Sequence, residues 1–315
     1  MASIPASIHF LSRLPIYREE KPYTIRYNLA KDSAVLRTNA YHEEIQNVPI
    51  TDIRGRESLF TLSEHGFGVI KYEINMTHQD FADEKRVEEV YLPGVARRLR
   101  ELLDAKHVQV YEHIIRRRDP EYPVSTGKPY TFDQPTNSAH IGSHRFESST
   151  GTKTSALTTT ADVTDHHITE LVERIAQTLP PDVARCLKKH EVQCVNVWKP
   201  LRGPLTDWPL CVCDATSVDS ENDFVPSDIV FTHSVVENIQ VHHNPGQKWF
   251  YMSNQTPDEL WIFGQSARSS VGRVKNGTPH CAFFDRVATP NGILRESIEC
   301  RALVYFGDCA NGDDD

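Results

Sequence analysis

The chain has 315 residues and carries 34 Lys and Arg against 43 Asp and Glu, a formal charge of −9 at pH 7. That balance argues against a nucleic-acid partner, which needs a basic stripe; the one dense basic run, Arg116-Arg117-Arg118, reads as a solvated strand end. A hydrophobic share of 39% suits an ordinary globule. No window nears the roughly 20 apolar residues of a membrane helix and no leader-like start is visible, so a cytoplasmic protein without a membrane partner is expected.

Residues 1–50, with Pro5, Pro15 and Pro22, read as an extended arm with one or two short strands. Partial alternation over 59–74 around His65-Gly66-Phe67-Gly68 suggests strands about a turn. Helical spacing follows at Val87, Val90, Tyr91, Val95, Leu99, Leu102 and Leu103, with Pro93-Gly94 as a break or restart. A strand at 108–111 precedes a Ser-, Thr-, Gly- and Pro-rich stretch at 126–160, read as a long loop with a short strand around His144. Thr164 caps a helix that Pro180-Pro181 ends, and 182–189 forms one more short helix. From there the pattern is β: 192–198, 210–213, 229–231, 249–252, 260–263, 281–284 and 298–306 are short, β-branched or aromatic segments between turn residues. Periodicity alone therefore gives a strand-rich α+β chain. No repeat or linker interrupts it. One domain over 1–310 with an N-terminal extension is expected, followed by an acidic tail at 311–315. The seven cysteines form no CxxC pair, as suits reduced thiols.

Several segments carry a resemblance when taken in order. They are Asp52-Ile53-Arg54-Gly55, Leu62-Ser63-Glu64-His65-Gly66-Phe67, Val195-Asn196-Val197-Trp198-Lys199-Pro200, Trp208-Pro209-Leu210-Cys211-Val212-Cys213-Asp214, Trp249-Phe250-Tyr251, Asp258-Glu259, and the block from His280 to Arg301. Over most of its length the chain resembles the fungal hydroxylase/desaturase family of the AsaB type, which is related to cephalosporin 7-alpha-methoxylation proteins and a gibberellin desaturase. The resemblance implies a double-stranded β-helix (a cupin-like jelly roll) with flanking helices. It also implies an Fe(II) and 2-oxoglutarate site, in which two imidazoles and a carboxylate hold the metal on one face and an arginine fork grips the co-substrate.

On that pattern His280 matches the second histidine, and Arg295, 15 residues on, matches the arginine, with Ser297 on the same strand face. The first motif reads His-x-Asp-x-Ser or Thr, then Gly. His144 fits it, because Ser148 and Gly151 then fall in place, and the carboxylate position becomes Phe146. Phenylalanine cannot bind iron, and it fills the space a halide would need. Glu147 is the nearest carboxylate but points to the opposite face unless a bulge turns it. Asn196, Trp198 and Lys199 match a segment near the family's active site and are expected to touch substrate. A further departure is Gly264-Gln265-Ser266-Ala267, where the family carries an Asp-Ser pair.

With the carboxylate gone, the first reading is a natural-product tailoring enzyme without cofactor. It catalyses a redox-neutral cyclisation, isomerisation or elimination of a small, largely apolar intermediate. His144, His280 and Arg295 would act as acid, base and carbonyl clamp, with Phe146 as an apolar wall. The alternatives are a genuine Fe(II)/2-oxoglutarate hydroxylase or desaturase, with His144, His280 and Glu147 as ligands, and a non-catalytic binding protein.

Overall fold

The computed structural model describes residues 1–30, 33–124, 130–144, 181, 184, 191–233, 235–268, 275–288 and 292–306. In chain order its strands are β1 (Ser3–Leu11), β2 (Tyr23–Ile25), β3 (His42–Asp52), β4 (Phe67–Lys71) and β5 (His107–Arg117). Then come β6 (His140–His144), β7 (Glu191–Pro200), β8 (Leu210–Cys213), β9 (Phe224–Val230) and β10 (Val235–Val241). The last are β11 (Trp249–Tyr251), β12 (Glu259–Arg268), β13 (Lys275–Asn276), β14 (His280–Ala282) and β15 (Glu296–Phe306). A nine-stranded sheet runs β1-β3-β11-β8-β14-β6-β10-β9-β2; a second sheet runs β13-β12-β7-β15-β5, with β4 paired to β12.

Strand alternation assigns the layers. On β7 and β15, Val195, Val197, Ile298, Cys300, Ala302 and Val304 pack with Val95 and Leu99 in one apolar cluster. Those two residues belong to α3 (Leu92–Leu103), which follows the short α1 (Leu62–His65) and α2 (Glu84–Arg86), so a helix covers the outer face of the second sheet. The intervening residues point the other way: Trp198, Trp261 and Phe263 meet Leu210, Val212 and Phe250 of the nine-stranded sheet. Ile141, Cys211 and Cys281 lie in a third cluster with Ile8, Ile50 and Trp249. That leaves their strand neighbours His140, Gly142 and His280 on the face turned to the interior.

Two expectations change and one is met. The N-terminal segment is no loose arm. β1 and β3 pair antiparallel over most of their length, with Pro5 opposite Pro49, and β1 is a sheet edge, where proline is tolerated. Pro93-Gly94 mark the expected restart: the α-helix Leu92–Leu103 begins there with Pro93 in its first turn. Residues 84–86 are α-helical, Val87–Tyr91 form a widened turn, and α3 continues from it; the wide turn absorbs the hydrogen bond proline cannot donate. The Arg116-Arg117-Arg118 run is partnered rather than merely solvated: Arg116 donates to Gln134 O at 3.0 Å, Arg117 pairs with Glu296 at 3.3 Å, and Arg118 with Asp207 at 2.6 Å. The helices expected at 164–179 and 182–189, and the loop at 145–160, lie outside the described residues save for single positions.

Candidate active site

β6 and β14 are neighbours, and their register places His140 directly opposite His280. The two rings stand 4.6 Å apart between centroids at 50°. Phe263 on the facing sheet packs on His280 at 4.6 Å. Each Nδ1 meets a backbone carbonyl, Ser138 O at 2.9 Å for His140 and Thr278 O at 3.0 Å for His280. A carbonyl only accepts, so each Nδ1 carries the proton and each Nε2 keeps a lone pair. Burial, reinforced by the neighbouring His280, pushes the His140 pKa down to about 3, and burial lowers that of His280. The pair is thus two neutral nitrogen donors, oriented as metal-binding imidazoles are.

The resembled motif around Gly66 builds this corner. Gly66 has φ +82, and a Cβ there would stand 2.6 Å from Thr278 Oγ1. The Gly66 carbonyl accepts from Thr278 Oγ1 at 2.7 Å and Gly264 N at 2.9 Å, which fixes the residue whose carbonyl holds His280. Two other resembled segments prove structural: Arg54 grips Glu259 through both guanidinium nitrogens at 2.5 and 3.0 Å.

The partner of His280 is therefore His140, not His144. His144 ends β6 and pairs with Glu237 beyond a register shift. Four positions separate it from His140, roughly 13 Å along an extended strand. The residue two places after the paired histidine is Gly142 rather than Phe146. Phe146 and Glu147 lie outside the described residues.

Arg295 is buried with its guanidinium 4.8 Å over the Trp198 ring. Its Nη1 donates to Trp208 O at 2.6 Å and its Nε to Ser297 Oγ at 3.4 Å. Trp208 takes φ +47, a strained conformation for a bulky residue, and that turn aims its carbonyl at Arg295. Among the described residues no carboxylate pairs with the Arg295 side chain. Burial, with help from Arg116, lowers its pKa to about 10. A buried cation lacking a counter-ion is an anion site in waiting.

Beside the histidines lies a charge network that the sequence reading missed. Glu299 accepts from Asn196 Nδ2 at 2.9 Å and from Arg301 at 3.4 Å, and Arg301 also pairs with Glu112 at 2.8 Å. Burial alone would raise the Glu299 pKa. Arg301, Arg116 and the two histidines outweigh it and hold the carboxyl at about 2. Asn196, Trp198 and Ser297 are all buried on this interior side. Lys199 is not. It follows Trp198, so alternation sends it to the helix side, 5.0 Å from the Phe81 ring and 5.5 Å from Tyr91. Its expected contact with substrate is corrected.

Two imidazole donors and an unneutralised arginine suit a divalent metal and a carboxylate co-substrate, although among the described residues no three His, Cys, Asp or Glu side chains cluster as a metal site. Residues 8–305 match the family model described as oxidoreductase/YMDC permease-like domain. The chain belongs to that family. Alpha-ketoglutarate-dependent dioxygenase phiK of a fungal species is 29% identical over 266 residues, 84% of this chain and 85% of that protein. Hydroxylase/desaturase asaB of Aspergillus flavus is 34% identical over 137 residues, 40% of this chain and 60% of the relative, so this match spans less than two thirds of the relative's length. A solved structure of the iron and alpha-ketoglutarate-dependent endoperoxidase NvfI superposes with a TM-score of 0.75 at 23% identity, over 97% of this chain and 99% of that one; this likeness speaks for the fold.

The family member is thus an Fe(II)/2-oxoglutarate oxygenase-like enzyme of the fungal hydroxylase/desaturase kind, on a jelly-roll fold, and a tailoring enzyme of secondary metabolism. The expectation of a cofactor-free site is corrected: its relatives are described as alpha-ketoglutarate-dependent. Among the described residues no helix is long and apolar enough to cross a membrane.

Proposed function

We propose that the enzyme is an Fe(II)- and 2-oxoglutarate-dependent oxygenase that hydroxylates or desaturates a small, largely apolar natural-product intermediate. The supporting observation is the pair of neutral, carbonyl-anchored imidazoles of His140 and His280 in one interior with Arg295, whose side chain meets no carboxylate among the described residues. Bound iron and 2-oxoglutarate would supply the oxidation of an unactivated C–H bond. His140 and His280 would hold the metal through Nε2. Arg295, fixed by Trp208 O and the Trp198 face, turns the rest of its fork to a carboxylate. Glu299 places a fixed negative charge beside the imidazoles and offsets part of a dication's charge. Trp198, Trp261 and Phe263 form an apolar wall that excludes water and suits an apolar substrate.

Calorimetry of metal-free protein under argon tests this. Fe(II) should bind at one site, and 2-oxoglutarate should bind only afterwards. Arg295→Gln should keep Fe(II) binding and weaken 2-oxoglutarate by ~10-fold or more, the scale of a charge-assisted hydrogen bond at roughly 1.5–3 kcal/mol. Equal 2-oxoglutarate affinity in the variant would refute the arginine's role, and no Fe(II) binding by the wild type would refute the reading.

A further inference from the structure

Gln265 is a buried interior amide, 2% exposed, with neither end of its side chain, Oε1 or Nε2, hydrogen-bonded. A buried amide left so carries an uncompensated desolvation penalty, and such a group in a native fold calls for a ligand or a function.

The backbone is bent to put it there. Along β12, Gly264 pairs with Val195 and Ser266 with Cys194, so Gln265 is the extra residue of a β-bulge. Bulges re-aim side chains beside active sites. Phe263, two residues earlier, lies on His280. Gln265 is the next interior position along β12, as Gly142 is the next after His140 along β6. The two positions meet: a Cβ at Gly142 would stand 2.8 Å from Gln265 Oε1 and 3.2 Å from its Nε2. The amide therefore occupies the space in which a side chain at 142 would begin, one strand position from the paired imidazoles. Glycine at 142 makes room for it.

We propose that the Gln265 carbonyl oxygen, entering from the opposite sheet, is the third protein ligand of the metal held by His140 and His280, in the place of a carboxylate at position 142. The inference rests on the oxygenase reading and deepens it. An amide oxygen is a hard donor suited to a dication, and it is neutral. The protein's negative charge near the metal then comes from Glu299, which Asn196 and Arg301 restrain. The bulge, the glycine and the unsatisfied amide oxygen all follow from this one assignment.

The test is titration of metal-free protein under argon with Fe(II), and with Co(II), whose visible spectrum reports its donors. Gln265→Leu should stay folded, with a metal-free melting temperature no lower than wild type because an unsatisfied amide is gone. Its Fe(II) affinity should fall at least ~10-fold, the lower end of what even outer partners of a metal contribute, and its Co(II) spectrum should change. Gly142→Asp combined with Gln265→Ala should recover wild-type affinity or better, since the carboxylate has space once the amide is removed. Gln265→Glu, nearly isosteric, should bind more tightly than wild type, and it serves if the leucine variant fails to fold. His140→Ala separates the two ideas. If it loses Fe(II) while Gln265→Leu and Gln265→Glu bind as wild type does, the glutamine ligand is refuted and the oxygenase reading stands. If wild type binds no Fe(II), both fall.

Discussion

The two faces of the second sheet are built by the same strands and do opposite things. On the helix side β7 and β15 present Val195, Val197, Ile298, Cys300, Ala302 and Val304, an apolar surface that α3 covers. On the interior side the alternate residues are Asn196, Trp198, Ser297, Glu299 and Arg301, all buried and mostly polar or charged. Burying charge stabilises poorly compared with burying apolar surface of the same volume. A sheet that keeps one face for folding and fills the other with a restrained charge network is specialised by face. Stability is concentrated on the helix side, and chemistry on the interior side.

That division predicts separable losses. Glu299→Leu removes the acceptor of the Asn196 amide and one carboxylate that Arg301 meets; we expect it to destabilise by about 3–5 kcal/mol and to weaken metal binding as well. Leu99→Ala on the opposite side opens a cavity under α3 at a residue fully buried, with a loss of about 2–5 kcal/mol. Metal affinity of its folded fraction should not move. Denaturant melts paired with metal titrations measure both, and a metal-binding defect in Leu99→Ala would break the separation.

Within the interior face the sharper contrast is between two histidines of one strand. His140→Ala removes a donor opposite His280, so Fe(II) affinity should drop ~100-fold or more, about 2.8 kcal/mol at 1.4 kcal/mol per decade. His144→Ala, four positions along β6, should bind as wild type does. The reverse result would restore the His144 register and return Phe146 to the site.

How far these features were legible in the sequence follows from their range. The β-rich second half, the helix around Val95 and Leu99, and the site histidine His280 with Arg295 were readable, because each is carried by local periodicity or an ordered set of motifs. The motif reading took His144 as the first histidine, whereas the fold sets His140 opposite His280. His140 sits in a short apolar strand whose register is set by β14, some 140 residues away in sequence, and no local pattern encodes that pairing. Gln265 stood out as a departure in the right segment, but its meaning needed the facing strand: only the approach to Gly142 shows what the amide replaces. Lys199 was misassigned because a motif match says which residues are near a site, while strand alternation decides which face each one takes.

The smallest expected effect tests that last point. Lys199 is buried between the sheet and two rings, and burial lowers its pKa from 10.5 to about 8. Between those two values the unfolded chain holds a proton that the folded chain has released, so stability rises with pH across this window and is lowest below about 8, where the charged form must be buried. Lys199→Met keeps the length of the side chain and removes the charge. Urea melts from pH 7 to 10.5 should show the wild-type rise flattened in the variant, with stability at pH 7 no lower than wild type. Substrate turnover should be unchanged, because the side chain lies on the helix side of β7. A turnover defect with stability intact would place Lys199 back at the interior face and undo the division between the two sides of the sheet.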